Sequence, residues 1–318
     1  MNETDALDGS VLLTGTVAAH WGLIRASGAD AATFLHNQLT NDIAGLGDHD
    51  VRLAGYCSAK GRLLASFIVW RHAGDIVLAC HHSVLPATLK RLSMFVLRAR
   101  CRLTDATADL PVWGLAGATA RTHLGDELPV WRQRSAGDLR LLRLPDAAGV
   151  VRGLWLGDRA PPGPPLAFDS WRWLAVQSGI ATIEAPSADR FVPQMLNFEL
   201  IGGVDFQKGC YPGQEVVARS QYRGTIKRRT FLFDVEGAAA GVEPPAAGSD
   251  VYHSSDASQP AGAVANSAVD PRGRVSALIE VKSALLGAGT LHLGTPDGPL
   301  LTRRELPYAV AADATPSG

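Results

Sequence analysis

Apolar positions recur at two spacings along this 318-residue chain, and the changes between them mark out its elements. In 83–98, Leu85, Leu89, Leu92 and Val96 fall on one face while Lys90, Arg91 and Arg98 fall mostly elsewhere, which predicts an amphipathic helix capped by Ser83. Upstream, Ser27-Gly28-Ala29-Asp30 marks a helix entry with Asp30 at the N-cap and Phe34, Leu35 and Leu39 as the buried stripe, ending near Thr40-Asn41-Asp42. Between these two helices, 52–58 and 63–70 read as strands joined at Ala59-Lys60-Gly61, followed by a third strand at 75–80. Strands recur at 112–115, 139–144 and 150–156, with a strand-to-helix turn at 114–120. A proline-rich loop at 157–165 leads to a helix over 171–177. Beyond 229 the texture changes to short β-type runs at 230–235, 262–265, 275–281 and 290–293, separated by Gly, Pro, Asp and Ser. This pattern reads as a small all-β, barrel-like domain followed by a frayed tail from about 309.

The length exceeds one compact core and points to two or three domains. Apolar content of 46% and charged content of 19% are those of an ordinary globular protein, and a net charge of -1 gives no bulk basis for binding nucleic acid or an anionic membrane. No segment reaches the roughly 20 apolar residues of a membrane helix. Val11-Leu12-Leu13 is too short, and lacks the basic flank, for a secretory signal. The cysteines Cys57, Cys80, Cys101 and Cys210 are too scattered for a disulfide framework, so free thiols and a cytoplasmic location are expected.

The densest chemistry lies in 208–219, which places Lys208, Cys210, Gln214, Glu215 and Arg219 around Gly209 and Gly213. Both glycines let main chain approach a ligand closely. Cys210 sits beside a cation and just before a helix start at Pro212 or Gly213, and both would stabilise a thiolate. Glu215 and Gln214 offer the hydrogen bonds that a flat heterocycle such as a pterin needs, although Glu215 and Arg219 are also spaced for a simple exposed ion pair. Gln38-Leu39-Thr40-Asn41-Asp42 gathers polar groups at a helix end, for turn chemistry or ligand contact. Cys57-Ser58-Ala59-Lys60-Gly61-Arg62 puts a thiol and two cations at a hairpin tip. Cys80-His81-His82 holds metal-ligand types, but strand alternation sends neighbours to opposite faces and no second cluster lies nearby in sequence, so no tightly bound metal is expected. No cysteine pair has CxxC spacing, which argues against a self-contained iron–sulfur site. Arg219, Arg223, Lys227, Arg228 and Arg229 form a basic segment suited to carboxylates, phosphates or RNA backbone, or to a solvated strand face.

With these residues in view, the chain resembles the YgfZ family of folate-binding proteins involved in iron–sulfur cluster maintenance. The match is carried by Phe191-Val192-Pro193-Gln194, Asn197, Gly202-Gly203-Val204, Phe206, the 208–219 run, Tyr222-Arg223-Gly224 and Lys227-Arg228. Phe34-Leu35, Gln38 to Asp42 and Lys60-Gly61-Arg62 fit the family's amino-terminal pattern, and the resemblance is weakest at 115–165 and after 235. The family is related to the aminomethyltransferase of the glycine cleavage system. The resemblance therefore implies an α+β, three-domain aminomethyltransferase-like ring around a central tetrahydrofolate cavity, with a C-terminal small β-barrel domain. On that template 10–50 and 112–228 form a discontinuous folate-binding core, 51–111 an α+β domain, 229–308 the barrel and 309–318 a disordered tail. The enzyme's paired aspartates align with Ala65 and Ser66, which removes the group that handles charge and protons in one-carbon transfer.

The resemblance thus implies a tetrahydrofolate-binding accessory factor for assembly or repair of iron–sulfur clusters, including those of tRNA-modifying radical enzymes. The alternative is a folate-dependent one-carbon transferase. Its partners would be folate and iron–sulfur client enzymes or assembly factors, with neither direct tRNA binding nor membrane association expected. Cys210 is the reactive-thiol candidate, as transient cluster ligand, nucleophile or redox partner, with Lys208 beside it. Cofactor-binding candidates are Gln38, Thr40, Asn41, Asp42, Lys60, Arg62, Asn197, Gln214, Glu215, Arg219 and Arg223.

Overall fold

The computed structural model describes residues 5–15, 20–137, 139–222, 226–237 and 243–310, so Arg223 and the expected tail beyond 310 lie outside the described residues. The alternating and apolar runs fold into three antiparallel sheets. The first contains β1 (Gly9–Leu12), β7 (Val112–Ala116), β8 (Gln133–Ala136), β9 (Leu139–Ala147) and β10 (Val150–Leu156), in the order β1-β7-β10-β9-β8. The second contains β2 (Trp21–Ser27), β3 (Val51–Cys57), β4 (Leu63–His72), β5 (Asp75–His81) and β6 (Arg102–Asp105), in the order β3-β4-β5-β2-β6. The third contains β11 (Arg228–Val235), β12 (Asp250–His253), β13 (Gly262–Val269), β14 (Val275–Lys282), β15 (Leu291–Leu293) and β16 (Leu301–Arg304), in the order β15-β12-β13-β14-β11-β16. A bridge between His292 and Leu300 brings the outer strands of this last sheet together, which curls it toward a barrel. The helices are α1 (Ala31–His36), α2 (Leu85–Met94), α3 (Gly117–Leu124), α4 (Phe168–Gln177) and α5 (Gln214–Tyr222).

Several expectations shift for local reasons. Helix α1 ends at His36 rather than near Thr40 to Asp42, because Leu39 bridges Tyr56 and the Thr40 amide donates to the Gly55 carbonyl, drawing the chain onto β3. Asp30 stands at the N-cap, but its carboxylate accepts from the Arg100 amide at 2.8 Å instead of closing the helix. Ser83 does not cap α2, which begins after a 3₁₀ turn at His82–Val84 and stops at Met94, before Val96. Helix α4 starts earlier than expected, at Phe168. The strands β12 and β16 have four residues each, too few to carry a recognisable period. The expected boundary near 50 divides one sheet: β1 pairs with β7, whereas β2 pairs with β5 and β6.

Between α4 and α5, residues 178–213 carry no strand or α-helix, only 3₁₀ turns at Ala185–Ser187 and Pro193–Leu196. Where this irregular chain is buried, its backbone groups need partners that a ladder would otherwise supply. Side chains of the sheets and flanking segments provide them. Thr40 Oγ1 donates to the Gly203 carbonyl at 2.6 Å, and Asn41 Nδ2 donates to those of Gly202 and Leu53, each at 2.7 Å. Ser66 Oγ accepts from the Ile183 amide at 2.9 Å, and Asn266 bonds both the amide and the carbonyl of Thr182. The segment reciprocates: Asn197, in the left-handed region at φ 59°, donates to the Thr230 carbonyl of β11 at 2.8 Å.

The same junction holds a buried ion pair. Arg229 donates to Glu199 at 2.7 Å and to Asn197 Oδ1 at 3.1 Å, and the two charged side chains are 9% and 4% exposed. Removing one member leaves the other as an uncompensated buried charge. Glu199→Ala is expected to cost about 3–5 kcal/mol in urea unfolding, and the double change Glu199→Leu/Arg229→Met to recover part of that loss.

Candidate functional site

The 208–216 run is held in place by two contacts that bring separate parts of the sequence together. First, Lys208 Nζ donates to the carbonyls of His36 and Leu39, the latter at 2.8 Å, and lies 4.8 Å from the centre of the Tyr211 ring. These carbonyls belong to the end of α1 and the turn after it, where unpaired acceptors and the helix dipole favour a cation. Burial pulls Lys208 down to about 8, with the charges of Asp205, Asp42 and Cys210 acting the other way. The ammonium expected to serve chemistry is thus engaged in structure.

Second, Gly61 at the tip of the β3–β4 hairpin packs on Gly213 at the entry to α5. Gly213 has φ +77°, and a Cβ there would stand 2.3 Å from the Ser58 carbonyl oxygen and 2.6 Å from Gly61 backbone atoms. Gly61, at φ +71°, would meet Val216 Cβ at 2.8 Å. Residues 36–42, 58–62 and 208–216, separate candidates in the sequence, therefore converge at one place.

Cys210 is exposed in this cluster, four residues before α5 begins. Cys57, the thiol of the hairpin motif, is buried, and burial pushes it up to about 12, so it is inert at neutral pH. Most of the expected ligand residues are already partnered within the protein. Thr40, Asn41 and Asn197 are buried and bonded to backbone as described. Asp42 accepts from the Gly45 amide, His36 Nδ1 and Arg52; burial acts to raise its carboxyl, but these partners hold it below the usual carboxylate value. Glu215 and Arg219 form the exposed (i, i+4) ion pair, at 3.2 Å. Arg62 donates to the Arg190 carbonyl at 2.5 Å, and Lys60 is exposed. Gln214 is half-buried at the start of α5, and half-buried Gln38 keeps an Oε1 with no partner among the described residues.

A second concentration of chemistry lies where the sheets meet, in a partly open cavity. Trp21 of β2, Phe168 and Trp171 of α4 form aromatic walls, and Arg172, Glu184 and Asn266 supply polar groups. Trp171 is fixed from behind by the Arg152 guanidinium, 5.5 Å from the ring, and Gly114 leaves room for it, since a Cβ there would come within 2.8 Å of the indole. Burial raises the Glu184 carboxyl, while its hydrogen bond from Asn266 Nδ2 at 2.8 Å and the charges of Arg172 and His82 act downward. A small adjoining space shares Trp21 and His81 and has Ser66 on its wall. Apart from Ser66, Cys80 and His81, sequence reasoning singled out none of the residues lining these two spaces. Trp171-Arg172-Trp173 is the one local signal, an aromatic and cationic group on a single helix, but it does not say which face meets a cavity.

No known family profile matches the chain. The tRNA-modifying protein YgfZ of Enterobacter sp. (strain 638) is 31% identical over 249 residues, covering 73% of this chain and 73% of that protein. The chain belongs to the YgfZ family. The YgfZ of Edwardsiella ictaluri is 34% identical over 66% of this chain and 68% of its own length, and that of Sodalis glossinidius is 28% identical over 91% of each. Among solved structures, the glycine cleavage system aminomethyltransferase T from Bartonella henselae superposes with a TM-score of 0.69 at 15% identity, over 96% of this chain and 88% of that one. This YgfZ chain therefore has the expected aminomethyltransferase-like α+β fold, with a curled C-terminal sheet. Among the described residues no helix is long and apolar enough to cross a membrane.

The packing of this YgfZ motif can be tested directly. Gly213→Ala combines a left-handed φ with a backbone collision and is expected to lose about 1–3 kcal/mol or more in thermal or urea unfolding. Lys208 gives a pH signature: its folded value of about 8 lies below its ordinary value of 10.5, so across that window the folded chain holds fewer protons there than the unfolded chain. Its contribution to stability therefore rises with pH over that interval and is flat below it. Unfolding free energies of wild type and Lys208→Met, compared from pH 7 to 10, are expected to diverge in that direction.

Proposed function

We propose that this chain is a tetrahydrofolate-binding accessory factor for the assembly or repair of iron–sulfur clusters in certain enzymes, including tRNA-modifying radical enzymes. The observation that carries the folate part is the aromatic-walled central cavity with a half-buried carboxylate. Trp21, Phe168 and Trp171 offer faces on which a flat heterocycle can stack. Glu184 can accept from the N–H edge of an aminopyrimidine, and Arg172 can hold a carboxylate such as that of a glutamate tail. This reading seats folate in the cavity rather than against Thr40, Asn41 and Asn197, whose polar atoms are engaged within the fold.

The lack of a carboxylate at Ala65 and Ser66 favours binding over aminomethyl transfer, because the Ser66 hydroxyl accepts from the Ile183 amide and offers no negative charge to a developing cation. The exposed thiol of Cys210 suits a role toward a partner, as a transient cluster ligand, a nucleophile toward a folate-bound one-carbon group, or a redox group. The relatives' name, tRNA-modifying protein, supports the choice of tRNA-modifying enzymes among the clients. Direct RNA binding is less supported. In the basic segment Arg229 is paired with Glu199, and Arg228 makes a two-point contact with buried Glu280.

Anaerobic calorimetric titration of the reduced full chain with tetrahydrofolate tests this reading. Saturable binding is expected for wild type and for Cys210→Ala. Glu184→Gln and Arg172→Ala are expected to bind about 10–100-fold more weakly, the loss of a hydrogen bond to a charged group. No binding by wild type, or undiminished binding by both cavity variants, would overturn it.

A further inference from the structure

His20, His81 and His82 meet although only two of them are neighbours in sequence. The β2–β5 pairing sets Trp21 opposite His81, and the His82 amide donates to the His20 carbonyl at 2.8 Å. Strand alternation does not separate His81 from His82, because β5 ends at His81 and the chain turns there into the 3₁₀ segment His82–Val84. The third histidine, distant in sequence, arrives through the sheet.

One ring nitrogen from each of the three lies within 4.8 Å of the others, and His20 Nδ1 and His81 Nε2 are 3.4 Å apart. Two nitrogens at zinc-bond lengths of about 2.0–2.1 Å in a tetrahedral site are separated by roughly 3.4 Å. The rings are held from outside the group. Phe168 stacks on His20 with centroids 4.6 Å apart, and His81 Nδ1 bonds Ser83 Oγ at 2.7 Å. Ser83 Oγ in turn accepts from the Ala185 amide at 3.0 Å, so the serine anchors the imidazole edge away from His20. Such an outer contact fixes the orientation of a ligating histidine. His20 and His81 also line the central cavity.

We propose that His20, His81 and His82 bind one divalent cation of the zinc class through their imidazole nitrogens, with a further coordination position open to the central cavity. Three imidazoles select late first-row metals over magnesium or calcium, and three protein ligands with one open position are the arrangement of a reactive rather than a purely structural centre. The assignment does not depend on folate binding. It also replaces the expectation of no tightly bound metal, which rested on alternation and on distance along the sequence.

The test is a titration of the reduced full chain, without folate, by cobalt(II), followed by visible ligand-field absorption and then by zinc(II) competition. One cobalt per chain is expected, displaced by zinc and showing no thiolate charge-transfer band. The signal is expected to be unchanged in Cys210→Ala, abolished in His20→Ala and His81→Ala, and weakened about 10–100-fold in Ser83→Ala, as for other outer-shell partners. His82 is exposed, so His82→Ala should leave the fold intact, as circular dichroism would check, and should still lose affinity even if His81→Ala does not fold. No saturable absorption in wild type, a signal that disappears in Cys210→Ala, or undiminished binding by a folded His82→Ala would overturn the proposal.

Discussion

Burying an irregular backbone is the constraint on which this structure depends. Residues 178–213 run between the sheets without forming a ladder, and each amide and carbonyl they bury must find a partner elsewhere. Thr40 and Asn41, Ser66, and Asn266 reach in from separate parts of the chain, while Asn197 reaches out to β11. An unmade hydrogen bond at such a site costs about 1–3 kcal/mol, more than a typical made one contributes, so these side chains are fixed by what they prevent. The sheets are thereby locked around a common centre, and the cavity is the space left between them.

That arrangement separates two kinds of chemistry. The glycine contact between Gly61 and Gly213 seats the hairpin tip on the start of α5, and Lys208 ties the same loop to the end of α1. Cys210 is left exposed on this outer cluster, while the aromatic walls, Glu184, His20 and His81 face the cavity. A thiol presented to partners and a pocket presented to a small ligand can then work on different molecules without competing for one volume.

Charge follows the same economy. The basic run at the start of β11 suggests a surface for anions, yet Arg229 is buried against Glu199 and half-buried Arg228 is paired with buried Glu280. Their acidic partners lie some 30 and 52 residues away in the chain, at the far ends of contacts that only the folded sheet creates. Burial without those partners would be prohibitive, so these arginines join segments together and add little to the field outside.

The sequence by itself determined the succession of strands and helices, the change to short β runs after 229 and the family, because periodicity and a long continuous motif are local properties of the chain. It also marked 208–219 as unusual, and the structure assembles that run with the hairpin tip and the end of α1. What it could not separate was a polar residue that binds a ligand from one that binds backbone. Thr40, Asn41 and Asn197 look alike in either role, since both need a small hydrogen-bonding side chain in a fixed place. Nor could it gather Trp21, Phe168, Arg172 and Glu184 around one cavity, or bring His20 to His81 and His82. Those meetings depend on strand register and on the packing of sheets formed by residues far apart in the chain, and only the tertiary structure fixes both.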